Sequence, residues 1–313
     1  MKAINKIFFL AFSIANMLLY SCEREDPMEK EQYIKQVYMV DSYQDVAVFP
    51  VRYDDEPQEA YVSVAVSGTL LPDQDVTATL VFNDNAISAY NDKYMRDAPV
   101  LYQRLPDSYF EMPSMSGTII AGDIYSHIPF KVYTSNLHCD SLYALAFEIE
   151  SVSAFQKNEL TPTLLLNLEL TNTYSGTYQL NAGKYTVTPT ITDRPDTASL
   201  SIPSSLSASR TLKAVDATTV RFIHETNAEV RSGYDSNDAY WEGLKKYGLT
   251  FTENSDGLFS IEPWIPYNDA DVTKSLNILA GECSYVDGVF TFWYDYMNGE
   301  KRSRIAGTLT KLK

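Results

Sequence analysis

Glu59-Ala60-Tyr61-Val62-Ser63-Val64-Ala65-Val66 alternates along its length and is closed by Ser67-Gly68. Ala60, Val62, Val64 and Val66 fall on one face, which is the pattern of a strand with one side in a core. Similar short runs lie on both sides of it. Upstream are Gln36 to Val40 and Asp45 to Val51; downstream are Val76 to Val81, Gly117 to Ala121, Ser126 to Val132, Leu142 to Ile149 and Thr163 to Leu170. One helix interrupts them. Asn83 or Asp84 caps it, and Ile87, Tyr90 and Tyr94 recur at helical spacing. The stretch 98–113, with Leu105-Pro106 and Met112-Pro113, reads as a loop. Many short strands with a single helix predict an Ig-like antiparallel β-sandwich over residues 33–171.

Period two returns in the second half. Tyr185 to Ile191, Val220 to Ile223, Leu249 to Thr252, Leu258 to Ile261, Val289 to Tyr296 and Ser303 to Leu309 read as strands. The Ser-rich stretch 197–210 reads as a loop with a partial strand, and Tyr240 to Tyr247 as a helix. Asn254-Ser255-Asp256-Gly257 and Asn298-Gly299 are hairpin signals. Residues 174–313 are therefore expected to form a second antiparallel β domain, either a sandwich or a small barrel, with the boundary near Thr171-Asn172-Thr173. The whole chain is expected to be all-β.

The N-terminus carries a different signal. Lys2 and Lys6 precede the apolar run Ile7 to Leu19, and Ser21-Cys22 ends it. This is the pattern of a bacterial lipoprotein signal, with residues 1–21 removed and Cys22 lipidated. The run is short and broken by Ser13 and Asn16, which argues against a membrane-spanning helix. Residues 22–32 are charged and read as a tether.

The 313-residue chain carries a formal charge of −16, and cleavage would make it more acidic by removing Lys2 and Lys6. Such a surface repels nucleic acid and anionic headgroups, and no basic stripe is present to track phosphates. Besides Cys22, only Cys139 and Cys283 remain, expected as buried free thiols rather than a disulfide framework.

Enzyme signatures are missing from the sequence: no nucleophile elbow, no phosphate-cradling glycine loop, no zinc helix. His127, His138 and His224 are not spaced for a metal, and no cofactor is expected. The adjacent residues His138-Cys139-Asp140 cannot form a working triad, whose members come from separate elements. The acidic turns Asp235-Ser236-Asn237-Asp238 and Asn268-Asp269-Ala270-Asp271 offer oxygen ligands but lack an EF-hand's glycine and distal glutamate. They read as solvated loops, with calcium left open.

Aromatic residues are the positive signal. They make up 13% of the chain and include 23 tyrosines. A sugar ring presents a C–H face that stacks on an aromatic ring while its hydroxyls find polar rim groups. All tryptophans lie in the second half: Trp241 beside Tyr240, Trp264 near Tyr267 and Asp269, and Trp293. On the run Val289 to Tyr296, Phe290, Phe292, Tyr294 and Tyr296 make the better core face, which turns Trp293 outward. Tyr90, Tyr94 and Tyr102 are the only clustered aromatics expected in the first half, and they read as packing residues.

Several segments resemble a known family. They are Val37-Tyr38, Ala60 to Gly68, Asp75-Val76-Thr77, Leu105-Pro106 to Tyr109, Met112-Pro113-Ser114, Ile120-Ala121-Gly122 and Tyr143-Ala144-Leu145. Together they resemble the domain of unknown function found in many Bacteroidetes lipoproteins. A copy of that domain also precedes the catalytic domain of an endo-β-N-acetylglucosaminidase. The second half resembles an uncharacterised domain that often completes such proteins. The resemblance implies a non-catalytic, glycan-binding lipoprotein of a polysaccharide-utilisation system. Such a protein would be anchored in the outer membrane facing the cell exterior, near a transporter and other surface lipoproteins. Two alternatives stand beside it: a scaffold lipoprotein binding an outer-membrane porter or adhesin, which predicts a broad exposed apolar patch, and a hydrolase with an acidic pair.

Overall fold

Two apolar cores divide the chain, one built from residues between Val37 and Leu168, the other from residues between Tyr174 and Leu309. The computed structural model describes residues 29–188, 199–201, 203–223, 231–265, 275–298 and 301–312. The signal segment, Cys22, His224, Tyr267, Asp269, the acidic turn at 268–271 and Gly299 lie outside the described residues.

The first half runs β1 (Gln36–Met39), β2 (Ala47–Arg52), β3 (Gln58–Val66), β4 (Val76–Phe82), helix α1 (Asp84–Tyr94) and β5 (Tyr102–Arg104). It continues with β6 (Phe110–Glu111), β7 (Ser116–Ile119), β8 (Tyr125–Val132), β9 (Leu142–Val152), β10 (Gln156–Lys157) and β11 (Thr163–Thr171). One sheet has the order β10-β1-β3-β8-β6 and the other β2-β11-β9-β4-β7, with β5 beside β9. Ala60, Val62 and Val64 from the first sheet meet Leu145, Phe147 and Leu166 from the second in one core. The result is a β-sandwich. Most neighbours run antiparallel, while β1–β10, β2–β11 and β5–β9 are parallel. Helix α1 lays Ile87 on Ala144, Ala146 and Leu165, covering the outer face of the second sheet. The stretch 98–113 is more ordered than its loop chemistry suggests. Leu105 is fully buried and donates its N–H to the Ala144 carbonyl, so the flanking residues are drawn into β5 and β6.

The second half runs β12 (Gly176–Thr188), β13 (Ser199–Leu200), β14 (Ser204–Ala214), β15 (Thr219–Ile223), helix α2 (Asn237–Tyr247) and β16 (Gly248–Glu253). It ends with β17 (Phe259–Pro263), β18 (Asn277–Val286), β19 (Val289–Asn298) and β20 (Lys301–Lys311). Strand β12 pairs with β14 on one side and β20 on the other, which closes the sheet into a barrel. Between sandwich and barrel, this half is the barrel. Its interior is aromatic, with Tyr178, Phe222, Phe251, Phe290, Phe292 and Tyr294 in mutual contact. Trp293 points outward, as the alternation along β19 predicts. The closing seam is tight: a Cβ on Gly307 would sit 2.5 Å from the Ala182 Cα and closer still to the Asn181 carbonyl.

The Ser-rich stretch is not a loop. Residues 204–214 form a full strand between β12 and β15. Its serines at 205, 207 and 209 face solvent, whereas Arg210, Leu212 and Ala214 are buried. Continuous pairing of residues 204–212 with β12 overrides the weak strand preference of serine.

The junction is firmly held. Asn172 is buried; its side-chain oxygen accepts the N–H groups of Tyr174 and Ser175, and its amide donates to the Asp216 and Thr219 carbonyls. At the other end of the sandwich domain, Glu31 accepts the N–H groups of Thr69 and Leu70 and pairs with Lys35 at 2.6 Å. The Lys35 charge and those N–H groups hold its carboxyl down at about 2.

Candidate functional site

Residues 133–141 follow β8 and reach from the sandwich to the barrel. Buried Thr134 donates to the Arg52 and Asp54 carbonyls, and Tyr53 donates its hydroxyl to the Leu137 carbonyl. The His138 N–H donates to the Tyr143 hydroxyl at 3.1 Å, and the Asp140 N–H donates to His138 Nδ1 at 3.1 Å. These bonds fix where Asp140 points. Both of its oxygens accept from Arg221 on the outer face of β15, and Lys213 on β14 adds a bond at 3.1 Å. The side chains of Arg221 and Asp140 are only 3% and 8% exposed, so this ion pair is a buried clamp between the domains. Burial by itself would raise the Asp140 carboxyl; the hydrogen bonds and charge of Arg221, with Lys213, outweigh it and hold the group below its ordinary value.

The clamp forms the floor of a cleft. The Arg221 guanidinium lies 5.3 Å from the Trp264 ring, and the His138 ring meets that indole edge-on at 6.3 Å. Trp264 is held where β17 ends, its N–H donating to the Gly248 carbonyl at 2.8 Å. Only glycine fits opposite, since a Cβ on Gly248 would sit 2.8 Å from the Trp264 Cβ. The other wall is helix α2. Ser236 caps it by accepting the Ala239 N–H at 3.1 Å, with Asp238 in the first turn and Lys245 and Lys246 in the last. Leu244 packs on Ile223, which seats Trp241 at the cleft rim. The cleft holds about 530 Å3, lined by His138, Asp140, Arg221, Trp241, Glu242 and Trp264 among others. Half-buried indoles, fixed charges and carboxylate oxygens there can stack a ring and hydrogen-bond its substituents.

The sequence-derived candidates divide accordingly. Trp241 and Trp264 share the cleft. Tyr240 lies outside the cleft lining, packed against Tyr234, Leu244 and, edge-on at 5.4 Å, the Trp241 ring. Trp293 lines a separate groove on the barrel's outer face. Tyr267, Asp269 and Cys22 lie outside the described residues. Arg221 was visible as the one charged residue in Val220-Arg221-Phe222-Ile223, but its partner lies in the other domain.

His138, Cys139 and Asp140 bring possible ligand atoms within 4.8 Å of one another. Burial, with the Asp140 charge adding, pushes the Cys139 thiol up to about 11, and Asp140 is committed to Arg221 and Lys213. The triplet acts as an ion-pair anchor. Cys139 and Cys283 are free thiols; Cys283 is buried as expected, whereas Cys139, in the loop before β9, is only half-buried.

The first domain also holds an aromatic cluster that the sequence reading missed. Tyr61, His127 and Tyr125 touch in succession on the outer face of the first sheet, with centroid spacings of 4.2 and 5.1 Å, and Phe49 from β2 of the second sheet meets Tyr61 edge-on at 5.2 Å. Tyr90, Tyr94 and Tyr102 do pack on one another, but they are not the only cluster of this domain. Outward parity on β3 and β8 was the available signal.

Comparison with known proteins places both halves. A family model described as an N-terminal domain matches residues 33–156, and one described as C-terminal matches residues 162–310. A multidomain protein including DUF1735 from Bacteroides ovatus is 19% identical, with a TM-score of 0.57 over 85% of this chain and 90% of that one. An auxiliary nutrient binding protein from Bacteroides thetaiotaomicron is 16% identical, with a TM-score of 0.56 over 86% and 91%. A Bacteroides ovatus protein of unknown function is 17% identical, with a TM-score of 0.53 over 88% and 90%. At such identities the likeness is one of fold. No curated protein matches by sequence.

Proposed function

The chain belongs to the proteins that join this N-terminal domain, residues 33–156, to this C-terminal domain, residues 162–310, and from that membership we propose that it is a non-catalytic, glycan-binding surface lipoprotein. The observation that carries the reading is the convergence of Trp241 and Trp264 on one cleft floored by Arg221 and Asp140. A pyranose ring stacks by its C–H face on an indole, and its hydroxyls reach Glu242, His138 and the guanidinium. The fold neighbour described as an auxiliary nutrient binding protein is in keeping with this role. Lipidation at Cys22 would hold the protein at the outer membrane, facing the exterior, with a transporter as its natural partner. Tethering there raises local concentration, so weak single-site affinity suffices.

The test is native affinity electrophoresis of residues 23–313 against plant, fungal and host glycans, beside Trp264→Ala. Retardation by one glycan, weakened in the variant, supports the cleft; retardation equal to wild type removes the cleft as the site, and no retardation across a broad panel removes the glycan reading. Cys22→Ala should release the protein from the membrane fraction; continued membrane association would refute the anchor.

A second reading, a scaffold that binds an outer-membrane porter or adhesin, draws on the Tyr61–His127–Tyr125 stripe. Tyr61 and Tyr125 are 45% and 55% exposed there. The alternative of a hydrolase with an acidic pair calls for one carboxyl held above its ordinary value, and Asp140 in the cleft is held below it.

A further inference from the structure

A second groove, of about 940 Å3, crosses the outer face of the barrel away from the cleft, lined by Tyr185, Glu282, Thr291, Trp293, Arg304 and Thr308 among others. Its floor follows from strand register. Gly183, Ala306, Trp293 and Glu282 lie in one row across β12, β20, β19 and β18, and Asn181, Thr308, Thr291 and Ser284 lie in the next. The first row sets two of the smallest side chains beside the largest. Tyr185 folds back across the gap: a Cβ on Gly183 would sit 2.9 Å from its ring. The second row is a line of hydroxyl and amide groups.

Trp293 is locked in place. Its Nε1–H donates to Glu282 Oε2 at 3.1 Å, and the Arg304 guanidinium lies 4.1 Å from the ring centre. Arg304 is held by Asp295 at 2.6 Å, and Arg302 binds the same carboxylate, which is fully buried although it faces away from the core. A surface indole fixed by a buried ionic cluster loses little freedom when a ligand stacks on it. The core lies on the opposite face of these strands, so the clamp does no core packing.

We propose that this groove is a second carbohydrate-binding surface, taking uncharged pyranose rings within a polysaccharide chain, with Trp293 and Tyr185 as stacking platforms. The row Asn181, Thr308, Thr291 and Ser284 meets the ring hydroxyls. The groove lies across an outer strand face, so a chain passes over it and is bound internally rather than at an end. The proposal rests on the glycan reading above but uses none of the cleft residues.

The experiment compares wild-type residues 23–313 with Tyr185→Ala, Thr291→Arg, Trp293→Ala and Trp264→Ala in native gels containing the retarding polysaccharide. Melting curves check each fold. Tyr185→Ala and Thr291→Arg touch no core, so they serve if Trp293→Ala unfolds. Each groove variant should weaken binding by about three- to tenfold, the scale of one lost stacking contact. Trp264→Ala should leave groove-dependent retardation. If Tyr185→Ala and Thr291→Arg both migrate as wild type while Trp264→Ala abolishes retardation, the groove proposal is overturned and the cleft reading stands. If no polysaccharide retards the wild type, both fall.

Discussion

Asp140→Ala removes the anionic half of the interdomain clamp, the carboxylate whose two oxygens both accept from Arg221, 3% exposed. Stranding one member of a buried ion pair costs about 3–5 kcal/mol, or roughly two to four powers of ten in an equilibrium constant. Lys213 contributes little to that figure, because its side chain is 39% exposed and a pair so open to water is worth at most about 1 kcal/mol. The chain has a way to escape part of the cost. If the domains separate, Arg221 reaches water, so the penalty cannot exceed the free energy of docking. The variant is therefore expected to open at the junction before either core unfolds. Urea titration followed by tryptophan fluorescence tests this, since Trp264 sits beside the Arg221 guanidinium. Small-angle scattering tests it independently. The expected result is an early transition absent from wild type, a larger radius of gyration, and recovery of most of the loss in Asp140→Ala/Arg221→Met, where both members of the pair are gone. A single transition within about 0.5 kcal/mol of wild type, with unchanged scattering, would refute the reasoning.

Other consequences are as direct. The Asp140 carboxyl is depressed in the folded state, so its stabilisation is fully present above the unfolded value of about 4 and is lost as pH falls below it; the stability gap between wild type and Asp140→Asn should narrow only below about pH 4. A gap that closes already near neutrality would contradict the assignment. Gly307→Ala should destabilise the barrel by about 1–3 kcal/mol or more, because its Cβ meets backbone of the closing strand; an unchanged melting temperature would count against the seam. Burial pushes the thiols of Cys139, to about 11, and Cys283 upward, so at pH 8 both should react with a disulfide reagent far more slowly in the native protein than in concentrated guanidinium. Equal rates at Cys283 would mean that it is not buried. Ser236→Ala removes the cap of α2 and should cost about 1 kcal/mol, read from thermal melts.

What the sequence disclosed depended on how locally each feature was encoded. The inward set of β3 and the outward turn of Trp293 follow from period two and needed no partner. The full length of β14 was hidden because serine favours loops, and only pairing of the serine run with β12 makes an extended chain the better solution. Barrel closure was hidden for a stronger reason. It joins Tyr178 to Lys311 and Thr186 to Ser303, and no local pattern distinguishes a closed sheet from two facing ones.

The sites show the same division more sharply. The tryptophans were conspicuous by type, but the residues that make them usable were not. Arg221 finds Asp140 in the other domain, Trp293 finds Arg304 on the next strand, and Tyr185 lies over a glycine that any open coil could also contain. Each of those residues sits at an outward position of a strand or in a connecting loop, where alternation predicts solvent. Asp140, Arg221 and Asp295 are all buried against that expectation. A charged side chain facing away from the core yet withdrawn from water must be covered by something, and here an indole lies against each arginine that answers the charge, Trp264 on Arg221 and Trp293 on Arg304. Both candidate surfaces are thus built one way: a buried carboxylate orients an arginine, and the arginine holds a tryptophan ring in place at an open groove. Rigid presentation of an aromatic ring is what stacking on a flexible sugar chain requires, because the ligand must then give up most of the freedom lost on binding.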